Sequence, residues 1–161
     1  MSMSHSSGTE LLRQHIQQFV RKFGLLAEDR TPCGAPIGPR EAHALMIVLE
    51  RERRDDPPRQ NELAAELGID KSNVTRLVQR LRKQGRVEQV ASQEDGRARL
   101  LRLTPKGRRL AETTERASRQ RFEVLLEGIP PAVRKTVLAA VALLNEALDK
   151  QSTEVELDAR A

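Results

Sequence analysis

The 161-residue sequence predicts a mainly α-helical fold with one small β-hairpin. Three observations predict it. Apolar residues recur at helical spacing near both ends of the chain, two short helical segments meet at Gly68, and two alternating runs flank an Asp-Gly pair. The chain has 3 Phe, no Tyr and no Trp, so the core must be aliphatic.

The N-terminal part of the chain predicts two helices joined by a loop. Apolar residues along 10–23 recur on one helical face, which predicts the first helix. Three Pro and two Gly within 31–39 predict the loop, and Pro39 suits the first position of the second helix. That helix should end before Pro57.

The segment 60–81 satisfies the requirements of two short helices that cross at a sharp angle. Gly68 can adopt the positive φ of the turn, and Asp70 can cap the second short helix, expected over 71–84. The residues expected to face the core are Leu63, Leu67, Ile69, Val74, Leu77, Val78 and Leu81. We therefore predict a helix-turn-helix, since an ordinary helical hairpin gives no reason for so basic an outer side.

The remaining elements complete the predicted architecture. Alternating runs around Asp95-Gly96 predict a hairpin, or wing, and Thr104-Pro105 opens a helix that Gly128 ends. A last helix carries an apolar stripe from Val133 to Leu148. The predicted organisation is an N-terminal helix and loop at 10–38, a winged helix-turn-helix lobe at 39–104, C-terminal helices at 105–150, and flexible tails at 1–9 and 151–161.

The positive charge is concentrated in one part of the chain. Residues 71–110 hold 12 Lys and Arg against 3 Asp and Glu, a net charge of +9, whereas the other 121 residues hold 16 against 20. A local cationic surface is typical of nucleic-acid binding, although a merely solvated surface is the simpler alternative.

Several classes of function are disfavoured by what the sequence lacks. One Cys and three His cannot build a disulfide framework or a four-ligand zinc site, so we expect no metal and no cofactor. No secretory signal or membrane-length apolar run is present, which predicts no membrane partner and a reducing, cytoplasmic location. The nucleophile-elbow, phosphate-loop and zinc-protease motifs are also missing, so we expect no enzyme and no catalytic residues.

The outward face of the second short helix carries residue types that recognise DNA. Arg suits guanine, Gln and Asn suit adenine, and the N-terminal half of such a helix reaches base edges. Cations farther along contact the backbone. We predict base contacts from Ser72, Asn73, Thr75, Arg76 and Gln79, and phosphate contacts from Arg80 and Lys83.

The predicted wing supplies a second contact surface. Arg97 and Arg99 lie at or near its tip, where an inserted Arg suits a narrow minor groove. Asp95 is expected to have a structural role, because its carboxylate can orient Arg97 by a charge-assisted hydrogen bond. An exposed hairpin with solvated charges is the alternative.

Three motifs in this region occur together: the run 67–78, Asp95-x-Arg97, and Leu103-Thr104-x-x-Gly107. They resemble the MarR family of winged-helix transcriptional regulators, most specifically over 62–107. The resemblance implies a homodimeric bacterial regulator of a pseudopalindromic operator, often a repressor released by a small anionic or phenolic ligand or by oxidation. Gly96 departs from the family pattern, since many relatives have Arg there, and Arg99 is expected to compensate.

The apolar stripes of the first and last helices predict a two-fold dimer. A monomer would leave them partly exposed, so we expect residues 10–26 and 120–149 to pair between copies. Packing of the two helices within one monomer is the alternative. In the family pattern an effector pocket lies between these helices and the DNA-binding lobe, which makes His15, Phe19, Arg40 and His43 candidates to bind a small anionic or aromatic effector.

Two further interpretations remain open. Cys33 could sense peroxide, although the chain has no Tyr and only Arg30 nearby as a cation to activate the thiol. The basic segment could also bind any duplex at low salt, as a sequence-indifferent architectural protein does. Sequence choice at physiological salt distinguishes that function from operator-specific regulation.

Overall fold

The computed structural model describes residues 5–92 and 98–158, with side chains described within 7–92 and 98–151. A mainly helical chain with one small hairpin is confirmed. Its elements are α1 (His5–Phe23), α2 (Pro39–Arg53), α3 (Gln60–Leu67), α4 (Lys71–Lys83), β1 (Val87–Ala91), β2 (Arg99–Leu103), α5 (Pro105–Glu127), a 3₁₀ turn (Pro131–Val133) and α6 (Arg134–Asp158). The chain falls into two compact units, divided between Arg119 and Gln120.

An aliphatic core holds the first unit together. It joins α2, α3, α4, the hairpin and the start of α5, and its largest members include Leu45, Val48, Leu49, Leu63, Val74, Leu77, Val78, Leu81, Leu101 and Leu103. All four apolar residues predicted to face inward from α4 are buried. Leu67 and Ile69 pack against this core while partly exposed.

The turn between α3 and α4 has the predicted local structure. Gly68 adopts φ 61° in the left-handed region, where a side chain would strain the backbone. Asp70 caps α4, since its carboxylate accepts a 2.8 Å hydrogen bond from the Asn73 backbone N–H. Together these two residues set the direction in which α4 leaves α3.

The hairpin is antiparallel, with Val87 opposite Leu103 and Ala91 opposite Arg99. Its predicted turn residues lie outside the described part of the chain. A further short pairing adds to it: the Leu101 N–H donates to the Pro58 carbonyl at 2.8 Å, and Arg59 bridges Leu100. The sequence does not predict this pairing, because Pro57-Pro58 indicates only the end of α2.

The start of α5 packs against the turn that follows α4 and forms hydrogen bonds with it. As predicted, the Thr104 hydroxyl caps α5 by accepting from the Gly107 N–H at 3.1 Å, and it also donates to the Gly85 carbonyl at 2.7 Å. Gly107 approaches Arg86 so closely that an added Cβ would lie 1.8 Å from the Arg86 carbonyl oxygen. The packing of α5 on this turn therefore requires glycine.

The terminal helices are longer than the apolar periodicity predicts. Helix α1 begins at His5 rather than at residue 10, and no proline interrupts its range. Helix α6, in the second unit, continues to Asp158, past Gln151, where a polar tail was expected. Its range contains neither Gly nor Pro to stop it. None of the described helices is long and apolar enough to span a bilayer.

Candidate nucleic-acid interface

The side of α4 opposite the core is a polar, basic surface. Its exposed residues, here called the α4 outer face, are Ser72, Arg76, Gln79, Arg80 and Lys83. These are the five predicted DNA contacts of α4 that are exposed. The other two, Asn73 and Thr75, are half-buried at its margins. Helical geometry thus brings the predicted contacts onto one side of one helix, because the buried stripe fixes which side faces outward.

Asp70 organises the N-terminal turn of α4. It accepts hydrogen bonds from the Ser72 hydroxyl at 2.7 Å and from both the backbone and the side-chain amide of Asn73. The Ser72 hydroxyl bond and the Asn73 backbone bond lower the pKa of Asp70 to about 2. This turn is therefore held in one arrangement before any ligand arrives.

The Thr75 hydroxyl is already used within the protein. It donates to the Lys71 carbonyl at 2.7 Å and accepts from the Gln60 side-chain amide at 2.8 Å. The methyl group is therefore what Thr75 can best offer a base, and thymine presents a matching methyl. Sequence reasoning missed Gln60, because no local pattern reveals a bond between side chains fifteen positions apart.

Arg76 and Arg80 lie one turn apart but have different surroundings. The Arg76 guanidinium donates only to the Ser72 hydroxyl, at 3.4 Å, and forms no ion pair with any described residue. Arg80 faces the Glu41 carboxylate of α2 at 3.4 Å, and Arg86 binds the other oxygen of that carboxylate at 2.9 Å. Glu41 and Arg86 were also missed, since these contacts join positions 39 and 45 apart.

The described part of the wing presents Arg99 to solvent at the start of β2. The predicted contact Arg97 and the structural residue Asp95 lie outside the described residues, so their roles stay predictions. Arg102 is also exposed on β2, opposite Glu88 on β1. The visible strands therefore add cations close in sequence to α4.

A cavity of about 940 Å³ lies beside α4. Segments 25–29 and 36–39 contribute to its lining. Its charged lining residues are the four arginines Arg40, Arg76, Arg80 and Arg86 and the three acids Glu28, Asp29 and Glu41. We call it the arginine cavity. Two buried atoms of its lining residues, Gln84 Oε1 and Arg86 Nε, have no hydrogen-bond partner among the described groups.

Only one of the four effector candidates lines the arginine cavity, and that residue is Arg40. His15 and His43 are exposed on α1 and α2. Phe19 is also exposed and stacks on Phe23 within α1, with ring centroids 5.1 Å apart. The structure therefore does not bring the four candidates together in this cavity.

Cys33, the redox candidate, is half-buried in the loop before α2. Its sulfur lies 2.9 Å from the Thr31 hydroxyl and 4.0 Å from the Thr114 carbonyl oxygen. Among the residues with described positions, no cluster of His, Cys, Asp or Glu could hold a metal ion.

Comparison with known proteins finds a family model that matches the central part of the chain. A model of the MarR family matches residues 36–98, which include the helix-turn-helix and strand β1 and end just before β2. The chain is 27% identical over 94 residues to the uncharacterized HTH-type transcriptional regulator YfiV of Bacillus subtilis, covering 58% of this chain and 59% of that protein. The match thus spans less than two thirds of that relative's length.

Two solved structures have the same fold. A probable transcriptional regulator from Pseudomonas aeruginosa is 27% identical, with a TM-score of 0.63 over 84% of this chain and 95% of that one. Streptococcus pneumoniae FabT, solved in complex with DNA, is 20% identical, with a TM-score of 0.68 over 89% of this chain and 96% of that one. The family match covers the segment that builds the α4 outer face, and the fold of most of the chain recurs in these structures; over residues 36–98 the chain matches the MarR family.

Proposed function

We propose that this chain is a sequence-specific, double-stranded DNA-binding transcriptional regulator, acting in the cytoplasm as a homodimeric, ligand-responsive repressor. Helix α4 enters the major groove, while Arg97 and Arg99 of the wing contact the neighbouring minor groove and backbone. FabT, which shares this fold, was solved with DNA, and that precedent supports the assignment.

One observation carries this proposal. The four apolar residues of α4 are buried, so the same helix must present Ser72, Arg76, Gln79, Arg80 and Lys83 together on its exposed side. Such a row combines base-reading and phosphate-binding groups on a helix fixed by the core.

Selection of bound sequences from random duplexes at about 150 mM salt tests the proposal, because non-specific binding is weak there. We expect a two-fold symmetric motif with half-sites about one helical turn apart. Recovery of no motif, with equal affinity for all duplexes, would instead favour a sequence-indifferent architectural protein.

The role of Arg76 can be tested on the selected duplex. Arg76→Ala should weaken binding and relax the preference at one base position by about 1–3 kcal/mol, as expected for loss of a bidentate base contact. Arg116→Ala removes the same charge from an exposed position on α5 and serves as the matched control. Equal affinities and equal preferences for the two variants would remove Arg76 from the reading surface.

The homodimer rests on exposed apolar residues in the terminal helices. Leu12 and Ile16 on α1 are each nearly half exposed, and Val141 on α6 is 50% exposed. Helix α6 is apolar on almost every side between 137 and 144, which is unfavourable in water. Pairing between copies over 10–26 and 120–149 would bury these side chains.

Sedimentation should therefore give twice the 18.1 kDa chain mass at micromolar concentration. Val141→Glu should shift the equilibrium towards monomer, because it places a charge in the proposed interface. Thr136→Glu adds the same charge to α6 at an already polar, exposed position and should leave the dimer intact. A single-chain mass for the unmodified protein would refute the dimer.

Ligand response is assigned to the arginine cavity. A carboxylate seated among its arginines would occupy Arg76 and Arg80, which also belong to the α4 outer face, so effector and DNA would compete. A panel of aromatic and aliphatic carboxylates, titrated against the DNA complex, should contain members that release DNA. Arg40→Met should weaken that release, while Arg116→Met should not; an equal response from both variants would argue against this cavity.

A further inference from the structure

The Glu41 carboxylate, in the first turn of α2, contacts Arg80 of α4. One of its oxygens accepts from Arg86 at 2.9 Å and the other from Arg80 at 3.4 Å. Its side chain is only 11% exposed, and it lies in the first turn of α2, where the helix dipole favours negative charge. Glu41 is therefore a fixed anion directly behind the α4 outer face.

The two arginines that share Glu41 are not equivalent. The Arg86 side chain is 19% exposed, so its shorter bond to Glu41 is sheltered from water and persistent. The Arg80 side chain is 63% exposed and its bond is longer. Exposed ion pairs of this kind are weak, so Arg80 can leave Glu41 while Arg86 continues to neutralise it.

Arg76 provides an internal comparison. It lies four residues before Arg80 on the same exposed side, yet it forms no ion pair among the described residues. Its charge is therefore available to any DNA phosphate that approaches. Glu41 offsets part of the Arg80 charge, which makes Arg80 more dependent on a phosphate held at a favourable position.

We propose that Glu41 is a specificity-determining residue, which withholds Arg80 from the backbone of non-cognate DNA and releases it only when α4 is seated in its site. This inference rests on the proposed DNA-binding function. By removing one cation from loose, sequence-independent complexes, Glu41 lowers non-specific affinity more than specific affinity. Its role is one of positioning, since it acts through Arg80.

The salt dependence of binding to a mixed-sequence duplex tests this proposal. The logarithm of the binding constant falls as the logarithm of the salt concentration rises. Each phosphate that the protein neutralises makes this slope steeper by about 0.9. Arg76→Met should make that slope shallower by about 0.9, whereas Arg80→Met should change it by clearly less. Both residues are exposed on the same helix, so neither variant should perturb folding.

Removal of the acid gives the complementary test. Glu41→Gln should make the slope steeper by about 0.9, because the Arg80 charge is no longer offset. Non-specific binding at 0.1 M salt should then be roughly eightfold tighter. Adding Arg80→Met to that variant should return the slope to its original value. Glu115→Gln removes the same charge from the Arg53 pair on α5 and should change nothing in this assay.

Two results would overturn the role of Glu41. One is a loss of slope in Arg80→Met equal to that in Arg76→Met. The other is an unchanged slope in a Glu41→Gln protein whose circular dichroism shows it folded; if that variant fails to fold, the pair of arginine variants decides alone. Failure of the unmodified protein to bind any duplex at low salt would refute the DNA-binding function itself, a distinguishable outcome.

Discussion

Gly107→Ala is the most discriminating stability test that this structure offers, because two effects predict opposite signs. Gly107 lies in the first turn of α5, where helix propensity alone favours alanine by up to about 1 kcal/mol. The surrounding backbone opposes it. An added Cβ would meet the Arg86 carbonyl oxygen at 1.8 Å and its carbon at 2.8 Å, both under the 3.0 Å that real Cβ contacts respect.

The clash should exceed the gain from propensity. Both obstructing atoms belong to the backbone, so no side-chain rotation relieves the contact and α5 must move. Overpacking of this kind costs about 1–3 kcal/mol, and movement also threatens the 3.1 Å hydrogen bond from the Thr104 N–H to the Arg86 carbonyl, about 1 kcal/mol more. After subtracting the full propensity term, we expect a loss of about 1–3 kcal/mol. For a chain of this length each kcal/mol lowers the melting temperature by about 2–4 °C, so it should fall by about 2–12 °C.

Thermal and urea denaturation followed by circular dichroism, at one fixed protein concentration, measure this loss. Gly8→Ala is the matched control, because Gly8 lies in α1 and an added Cβ meets nothing within 4 Å. It should leave stability unchanged or raise it slightly. If Gly107→Ala proves as stable as the unmodified protein, the close packing of α5 on the α4–β1 turn is refuted.

Three further predictions concern the acids that hold the first unit together. Because the pKa of Asp70 is lowered to about 2 from 3.8, its ionised form stabilises the fold above pH 4 and that contribution is lost as pH falls towards 2; the melting-temperature advantage over Asp70→Asn, which caps without titrating, should vanish across that range. An advantage independent of pH would contradict this account. Glu52→Ala should cost about 1–3 kcal/mol in urea unfolding, because the buried carboxylate accepts from Arg108 and, at 2.9 Å, from the Leu103 N–H, whereas exposed Glu50→Ala should change little. Glu115→Gln, which breaks a partly exposed pair with Arg53, should cost at most about 1 kcal/mol in the same assay, and a larger loss would show that this pair is coupled to its neighbours.

Features set by neighbouring residues could be predicted from the sequence. The turn at Gly68 and the caps at Asp70 and Thr104 depend on chemistry within a few positions, and the structure has all three. The buried stripe of α4 follows from helical spacing, which in turn fixes its outer face. These local rules are sufficient to predict the helix-turn-helix and the exposed residues of the α4 outer face.

Contacts between distant positions could not be predicted, because no local pattern encodes them. The bond from Gln60 uses the hydroxyl of Thr75, a residue that the sequence predicts to contact a base. Glu41 showed no sign of its role, since an acid in the first turn of a helix is common and its arginine partners lie far along the chain. The row of polar residues was therefore predictable, whereas the availability of each group within it was not.

This difference changes how the α4 outer face should function. Counting cations would assign equal roles to Arg76 and Arg80, yet one is free of carboxylate partners among the described residues and the other is shared with a buried acid. Free cations give affinity for any duplex, because every phosphate can satisfy them. A cation that is already paired with a carboxylate binds strongly only to a phosphate in a suitable position. Discrimination between sites can therefore arise from an acid that never touches DNA, and the ratio of specific to non-specific affinity is the quantity that reveals it.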